Sequence, residues 1–249
     1  MSRVTKSFKI AGWLIKFLFT LVVAFVCGFL LWRVFSSGDP KSMKALQVND
    51  SIYSAYEQTG EDLYIFRQEQ SSTTRAEHNM GYFSVTNAVF IPEANQIQVV
   101  LRYNNSTIRS LVKDKSLTQT PAREDDLFDV SLFFSVDLTP ENKEDNATLS
   151  EAGTRTFRCS STLVGKDETA LYNYRKFVFD LGSTGEDLAE LLDSNTLLAV
   201  YADVYYIPER DTDKDAYGTL CLYDYITKKE TVKLSRTDRA QIEAWKADD

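Results

Sequence analysis

Residues 127–138 read LFDVSLFFSVDL, and this stretch decides the fold. Phe128, Val130, Leu132, Phe134, Val136 and Leu138 occupy every second position. Between them stand Asp129, Ser131, Ser135 and Asp137, a polar series broken by Phe133. Apolar residues at period two mark a strand. One apolar face and one polar face mark a strand of an antiparallel sheet with a dry side and a wet side.

The same period runs outward in both directions. On the N-terminal side Leu63–Arg67 is a short strand, and Tyr82–Ile91 and Gln96–Asn104 form a hairpin around Pro92-Glu93-Ala94-Asn95. Phe83, Val85, Val89 and Ile91 are expected to share one face of its first arm; Ile97, Val99, Leu101 and Tyr103 share one face of its second. Leu111 and Val112 suggest a brief strand. On the C-terminal side the pattern predicts a hairpin of Arg155–Val164 and Leu171–Leu181 turning at Gly165-Lys166-Asp167. A third pairs Thr196–Ile207 with Tyr217–Tyr225, and Thr231–Leu234 is a last short strand. Two helices interrupt the series. One is capped by Ser183 or Thr184 and carries Leu188, Leu191 and Leu192; the other opens at Ser235-x-x-Asp238 and holds Ile242 and Trp245.

Seven or eight hairpin-linked strands with few helices predict a mainly β domain over residues 63–234, an antiparallel β-sandwich immunoglobulin-like in plan, closed by a C-terminal helix over 235–249. The likeness is one of architecture alone. The Cys–Trp–Cys order of immunoglobulin domains is missing, since Trp245 follows both Cys159 and Cys221.

Ahead of the domain, residues 13–32 read WLIKFLFTLVVAFVCGFLLW. Twenty residues of helix span about 30 Å, the hydrocarbon thickness of a bilayer. Tryptophan stands at each end, where its ring suits the interface. Arg3, Lys6, Lys9 and Lys16 lie on the N-terminal side, and no acid precedes Asp39. The positive-inside rule then predicts a cytoplasmic tail at 1–12, an anchor at 13–35, and everything from residue 36 outside. The run is longer than a signal peptide's apolar region, and Val34-Phe35-Ser36 is a poor cleavage site. Cys27 follows Val26 rather than a small residue, which argues against lipidation. Thr20, Ala24 and Gly28 form a small-residue stripe that would let two such helices approach and dimerise. Asp39-Pro40 starts a helical linker over 36–62, either a stalk or a helix folded onto the domain, divided at Asn49-Asp50-Ser51 and ending before Gly60.

Charge excludes some partners. Five of the 28 basic residues precede residue 36, so residues 36–249 hold 23 basic against 36 acidic, a net of −13. Such a domain repels nucleic acid and anionic lipid. Cys159 and Cys221 lie in expected strands and allow one disulfide in an oxidising compartment, or two buried thiols. The sequons at Asn49, Asn104, Asn105 and Asn146 matter only in a eukaryotic secretory pathway.

Catalytic motifs are sparse. His78 is the sole histidine and sits in a polar stretch without a nucleophile motif, so a triad or zinc site lacks its supporting residues. Asp211, Asp213 and Asp215 resemble the start of a calcium loop, but Ala216 and Leu222 stand where an EF-hand needs Gly and Glu. A solvated hairpin tip is the preferred reading of them, a non-EF calcium site the alternative, and no cofactor is implied. Asp203, mid-strand between Tyr201 and Tyr205, is the carboxylate that either binds sugar or pairs with an arginine. Tyr201, Tyr205, Tyr217, Tyr223 and Tyr225 are expected to pave one face of the third hairpin, as a binding stripe or as ordinary strand residues.

These readings predict a plasma-membrane protein with a single span. Its outer domain binds a protein partner or a glycan without catalysis; the alternative is a tethered hydrolase of envelope polysaccharide. A hydrolase needs carboxylates converging in a cleft, whereas a binding domain needs an open face.

Overall fold

The computed structural model describes residues 2–60, 63–68, 83–138, 154–192, 196–209, 216–224 and 231–247. The chain divides into two compact units. One is Met1–Gly38 with Thr169–Leu171, and the other is Asp39–Glu168 with Tyr172–Asp249.

The first unit is built on helix α1 (Ser2–Ser37). Within it Trp13–Trp32 has a mean hydropathy of 2.6 and no buried residue, so it is long and apolar enough to cross a membrane. Thr20 spends its hydroxyl on the Lys16 carbonyl, 2.9 Å away and one turn back.

The second unit is mainly β, with two antiparallel sheets. Its strands are β1 (Tyr64–Gln68), β2 (Phe83–Ile91), β3 (Gln96–Asn104), β4 (Phe128–Leu138), β5 (Thr154–Ser160), β6 (Thr162–Glu168), β7 (Tyr172–Asp180), β8 (Thr196–Tyr206), β9 (Gly218–Asp224) and β10 (Thr231–Lys233). The larger sheet runs β10-β1-β2-β3-β7-β6 and the smaller β5-β4-β8-β9. This order is not the ABED/CFG plan of immunoglobulin domains.

One core joins the two sheets. From β4 come Phe128, Val130, Leu132, Phe134 and Val136, all at most 3% exposed, as their alternation requires. Ile97, Val99, Leu101 and Tyr103 meet them from β3, with Phe177 and Phe179 from β7. Phe134 stacks on Phe157, ring centroids 4.4 Å apart.

Strand β2 departs from its expected pattern. Its register with β3 shifts between Val85 and Asn87, a β-bulge. A bulge inserts one residue and reverses the alternation beyond it. Phe83 and Val85 therefore face the shared core with Ala88 and Phe90, while Val89 and Ile91 face the other side. Other differences have equally local causes. Leu111 and Val112 belong not to a strand but to helix α4 (Asn105–Asp114). Asn104 and Thr107 form its capping box, and Ile108 and Leu111 are buried. Gly165, Lys166 and Asp167 are not a turn but lie inside β6. There a Cβ on Gly165 would meet Met43 Cε and Lys176 Cβ at 3.4 Å, so the small residue suits close packing. The break falls instead at Ser161, where the chain leaves one sheet for the other. The helix expected from Ser183 or Thr184 is a 3₁₀ turn at Leu181–Thr184 followed by α5 (Leu188–Leu191), capped by Asp187.

Of the two readings of the linker, stalk or helix folded onto the domain, the structure has the second: from Asp39 the segment lies on the outer face of the larger sheet. It forms α2 (Lys41–Lys44) and α3 (Asp50–Thr59), the latter capped by Asn49. Leu46, Ile52 and Ala55 pack with Val89, Ile91, Leu63, Ile65, Leu234 and Ile242; Ile242 comes from the C-terminal helix α6 (Arg236–Ala247). Met43 packs with Val100 and Tyr174. Polar groups fix the register. The Gln98 side chain accepts from Gln47 N (2.9 Å) and donates to Gln47 O (2.7 Å). Lys176 Nζ donates to the carbonyls of Ser42 and Ala45, and Asp39 pairs with Arg102 at 3.4 Å. At the other end, Ser235 and Asp238 cap α6 reciprocally, as their spacing predicts.

Candidate functional site

Helices α2, α3 and α6 cover the outer face of the larger sheet, and among the described residues of this unit no helix packs on the outer face of the smaller one. The register defines that face. Arg158 on β5, Phe133 on β4, Tyr201 on β8 and Cys221 on β9 lie in one cross-strand row. Ser160, Ser131, Asp203 and Thr219 form the next, and Tyr205 and Asp129 follow.

Arg158 organises the patch. Its guanidinium lies over the Phe133 ring, 5.1 Å from the centroid. From there Nη1 reaches Asp203 Oδ2 at 2.6 Å and donates to the Tyr205 hydroxyl at 3.0 Å. Thr219 Oγ1 donates to the other carboxylate oxygen at 2.7 Å. The Asp203 side chain is 9% exposed and that of Arg158 50%. A charge withdrawn from water needs such partners. Burial works against the Arg158 charge, but the hydrogen bond and charge of Asp203 hold its pKa above the ordinary arginine value. Burial, then the charge of Asp203, pushes the Tyr205 hydroxyl up. Phe133 and Tyr201 stand half-buried side by side, centroids 6.2 Å apart. The result is a pre-set surface of aromatic rings and one guanidinium, with its internal charge already matched.

Of the expected site residues, Asp203, Tyr201 and Tyr205 meet here. Tyr223 does not join them. The β8–β9 register shifts between Val200 and Tyr201, and the bulge turns Tyr223 into the core, 6% exposed and 5.8 Å from Phe90. Tyr217 leans on Phe128 and Phe83 and donates to Asp114 at 3.0 Å. Tyr225, His78, Asp211, Asp213 and Asp215 lie outside the described residues. Among the described residues no cluster of His, Cys, Asp and Glu is arranged to hold a metal ion. Of the two arrangements open to Cys159 and Cys221, a disulfide or two thiols, the structure has two thiols and no bridge. Cys159 faces the core, donating to Asp180 O at 3.4 Å, whereas Cys221 is on the outer face three strands away. At about 4.8 Å per strand that is roughly 14 Å, beyond the reach of a disulfide.

Arg158, Phe133 and Thr219 were not expected at this site. Phe133 had left a signal, as the one apolar residue on the polar side of β4. Arg158 left none, because its pairing with β4 depends on a strand order that hydrophobic alternation does not encode.

No protein-family model, curated protein or solved structure matches this chain.

Proposed function

We propose that this chain is a single-pass plasma-membrane protein, its N-terminus in the cytoplasm. Its β-rich domain, a sandwich of two sheets, lies outside and is a non-catalytic module that binds a protein partner or a glycan. The observation that carries the reading is the Phe133–Arg158–Tyr201–Tyr205 face. Aromatic residues and arginine dominate binding hot spots. These rings are half-buried, held by a strap that spans three strands, and stand on the sheet face that no described helix covers. The basic N-terminal flank and the length of Trp13–Trp32 support the placement. The Thr20–Ala24–Gly28 stripe is compatible with pairing of two copies. Hydrolysis is the weaker reading because both oxygens of Asp203 are engaged, one by Arg158 and one by Thr219.

The test is a photo-cross-linking amino acid at position 201 in the full chain, irradiated in intact membranes. A discrete adduct, lost with Arg158→Glu and kept with a charge reversal on the far face at exposed Lys41, supports the reading. No adduct, or turnover of envelope polysaccharide that disappears with Asp203→Asn, contradicts it.

A further inference from the structure

A second, separate arrangement lies between α3 and α6. A groove of about 320 Å³ is lined by Asp50, Tyr53, Ser54, Glu57, Trp245 and Lys246. Two aromatic rings line it, Tyr53 and Trp245, with centroids 5.4 Å apart and planes tilted by 38°. Two carboxylates flank them from α3, and the Tyr53 hydroxyl donates to Glu57. One cation sits in it. Lys246 Nζ lies over the Tyr53 ring at 5.3 Å and 3.2 Å from Glu57 Oε1. The hydrogen bonds of Tyr53 and then Lys246 hold the Glu57 carboxyl below its ordinary pKa, and those of Tyr53 and Glu57 raise that of Lys246.

A ring face with a carboxylate at its edge is the chemistry that recognises organic cations. Here the chain's own ammonium satisfies it, and loosely: the Lys246 and Glu57 side chains are 65% and 55% exposed. An exposed ion pair and an exposed cation–π contact are each weak, so a competing cation displaces this lysine at little cost. The domain's net charge of −13 draws such a cation in. We infer that the α3–α6 groove is a binding site for an alkylammonium or guanidinium group, such as a lysine or arginine side chain of a basic partner, with Lys246 as its resident occupant. The inference stands independently of the opposite face.

The test uses the full chain in detergent micelles with Trp13→Phe and Trp32→Phe, which leave Trp245 as the sole tryptophan. Its emission is followed as tetramethylammonium chloride is added at constant ionic strength, with sodium chloride and the neutral tert-butanol as controls. The expected result is a saturable change for tetramethylammonium alone. Lys246→Ala should move its midpoint to a concentration up to about fivefold lower, because the internal competitor is gone. Tyr53→Leu should abolish saturation while circular dichroism stays unchanged. A change that does not saturate, that sodium reproduces, or that Lys246→Ala weakens overturns the inference.

Discussion

Arg158 and Asp203 form an unequal pair, and the inequality predicts which loss matters more. The Asp203 side chain is 9% exposed, whereas half of the Arg158 side chain already meets water. Removing the arginine strands a largely buried carboxylate beside the hydroxyls of Thr219 and Tyr205; removing the carboxylate lets the guanidinium swing into solvent. Arg158→Ala should therefore cost about 1–3 kcal/mol, more than Asp203→Asn at about 1 kcal/mol. Thermal unfolding in micelles checks this, at roughly 2–4 °C per kcal/mol for a domain of this size. Equal losses would show that the pair is not anchored as described. The two thiols of the β-rich unit give a second prediction. Burial, then the nearby charge of Asp180, pushes the Cys159 thiol up to about 11 from 9.0. A thiol whose folded pKa is raised stabilises the fold fully below pH 9 and loses that contribution as the pH climbs from 9 to 11. Alkylation at pH 8 should accordingly modify half-exposed Cys221 well before Cys159, as peptide mass spectrometry would read out.

Among the elements, α4 depends on its cap. Asn104 accepts from Ser106 N at 2.8 Å and Thr107 N at 3.2 Å, and the Thr107 hydroxyl accepts in return from Asn104 N. Asn104→Ala should cost about 1 kcal/mol, a fall of roughly 2–4 °C in Tm, whereas Asn104→Ser should recover most of it. The same cap shows where sequence reading reached and where it stopped. Strand β4 was legible because six alternating apolar residues admit a single interpretation. So were the α6 capping pair and the division of the connector at Asn49. Helix α4 was not, because Asn104 doubles as the last residue of β3 and its ladder with Tyr172 hides the cap. Two bulges account for the misplaced faces. Thr86 and Leu222 each add one residue to a strand, and a period-two pattern carries no mark of where such an insertion falls. That is why Val89 and Ile91 exchanged faces and why Tyr223 left the expected tyrosine stripe. The α3–α6 groove was invisible for another reason: Glu57 and Lys246 are 189 positions apart.

At the scale of the whole molecule, the domain begins at Asp39 rather than at the first strand. Residues 39–60 supply Met43, Leu46, Ile52 and Ala55 to the outer face of the larger sheet, each at most 4% exposed. Each large apolar side chain buried there contributes about 1.5–3 kcal/mol, so the segment matches a domain's whole margin of about 5–15 kcal/mol. A fragment of residues 39–249 should fold cooperatively and resist limited proteolysis. A fragment of residues 63–249 should bind a hydrophobic dye and be digested, since Val89, Ile91 and Val100 lose their cover. Equal resistance would return the segment to the role of a stalk.

The central proposal is that Trp13–Trp32 spans a membrane and that the open face of the smaller sheet works outside it. Thr156 is exposed on that face, in the same row as Ser135 and Ala199. The direct measurement replaces Cys27, Cys159 and Cys221 with alanine, introduces Thr156→Cys, and treats intact cells with a membrane-impermeant maleimide. Labelling before permeabilisation is the predicted result; labelling only after permeabilisation would contradict the account.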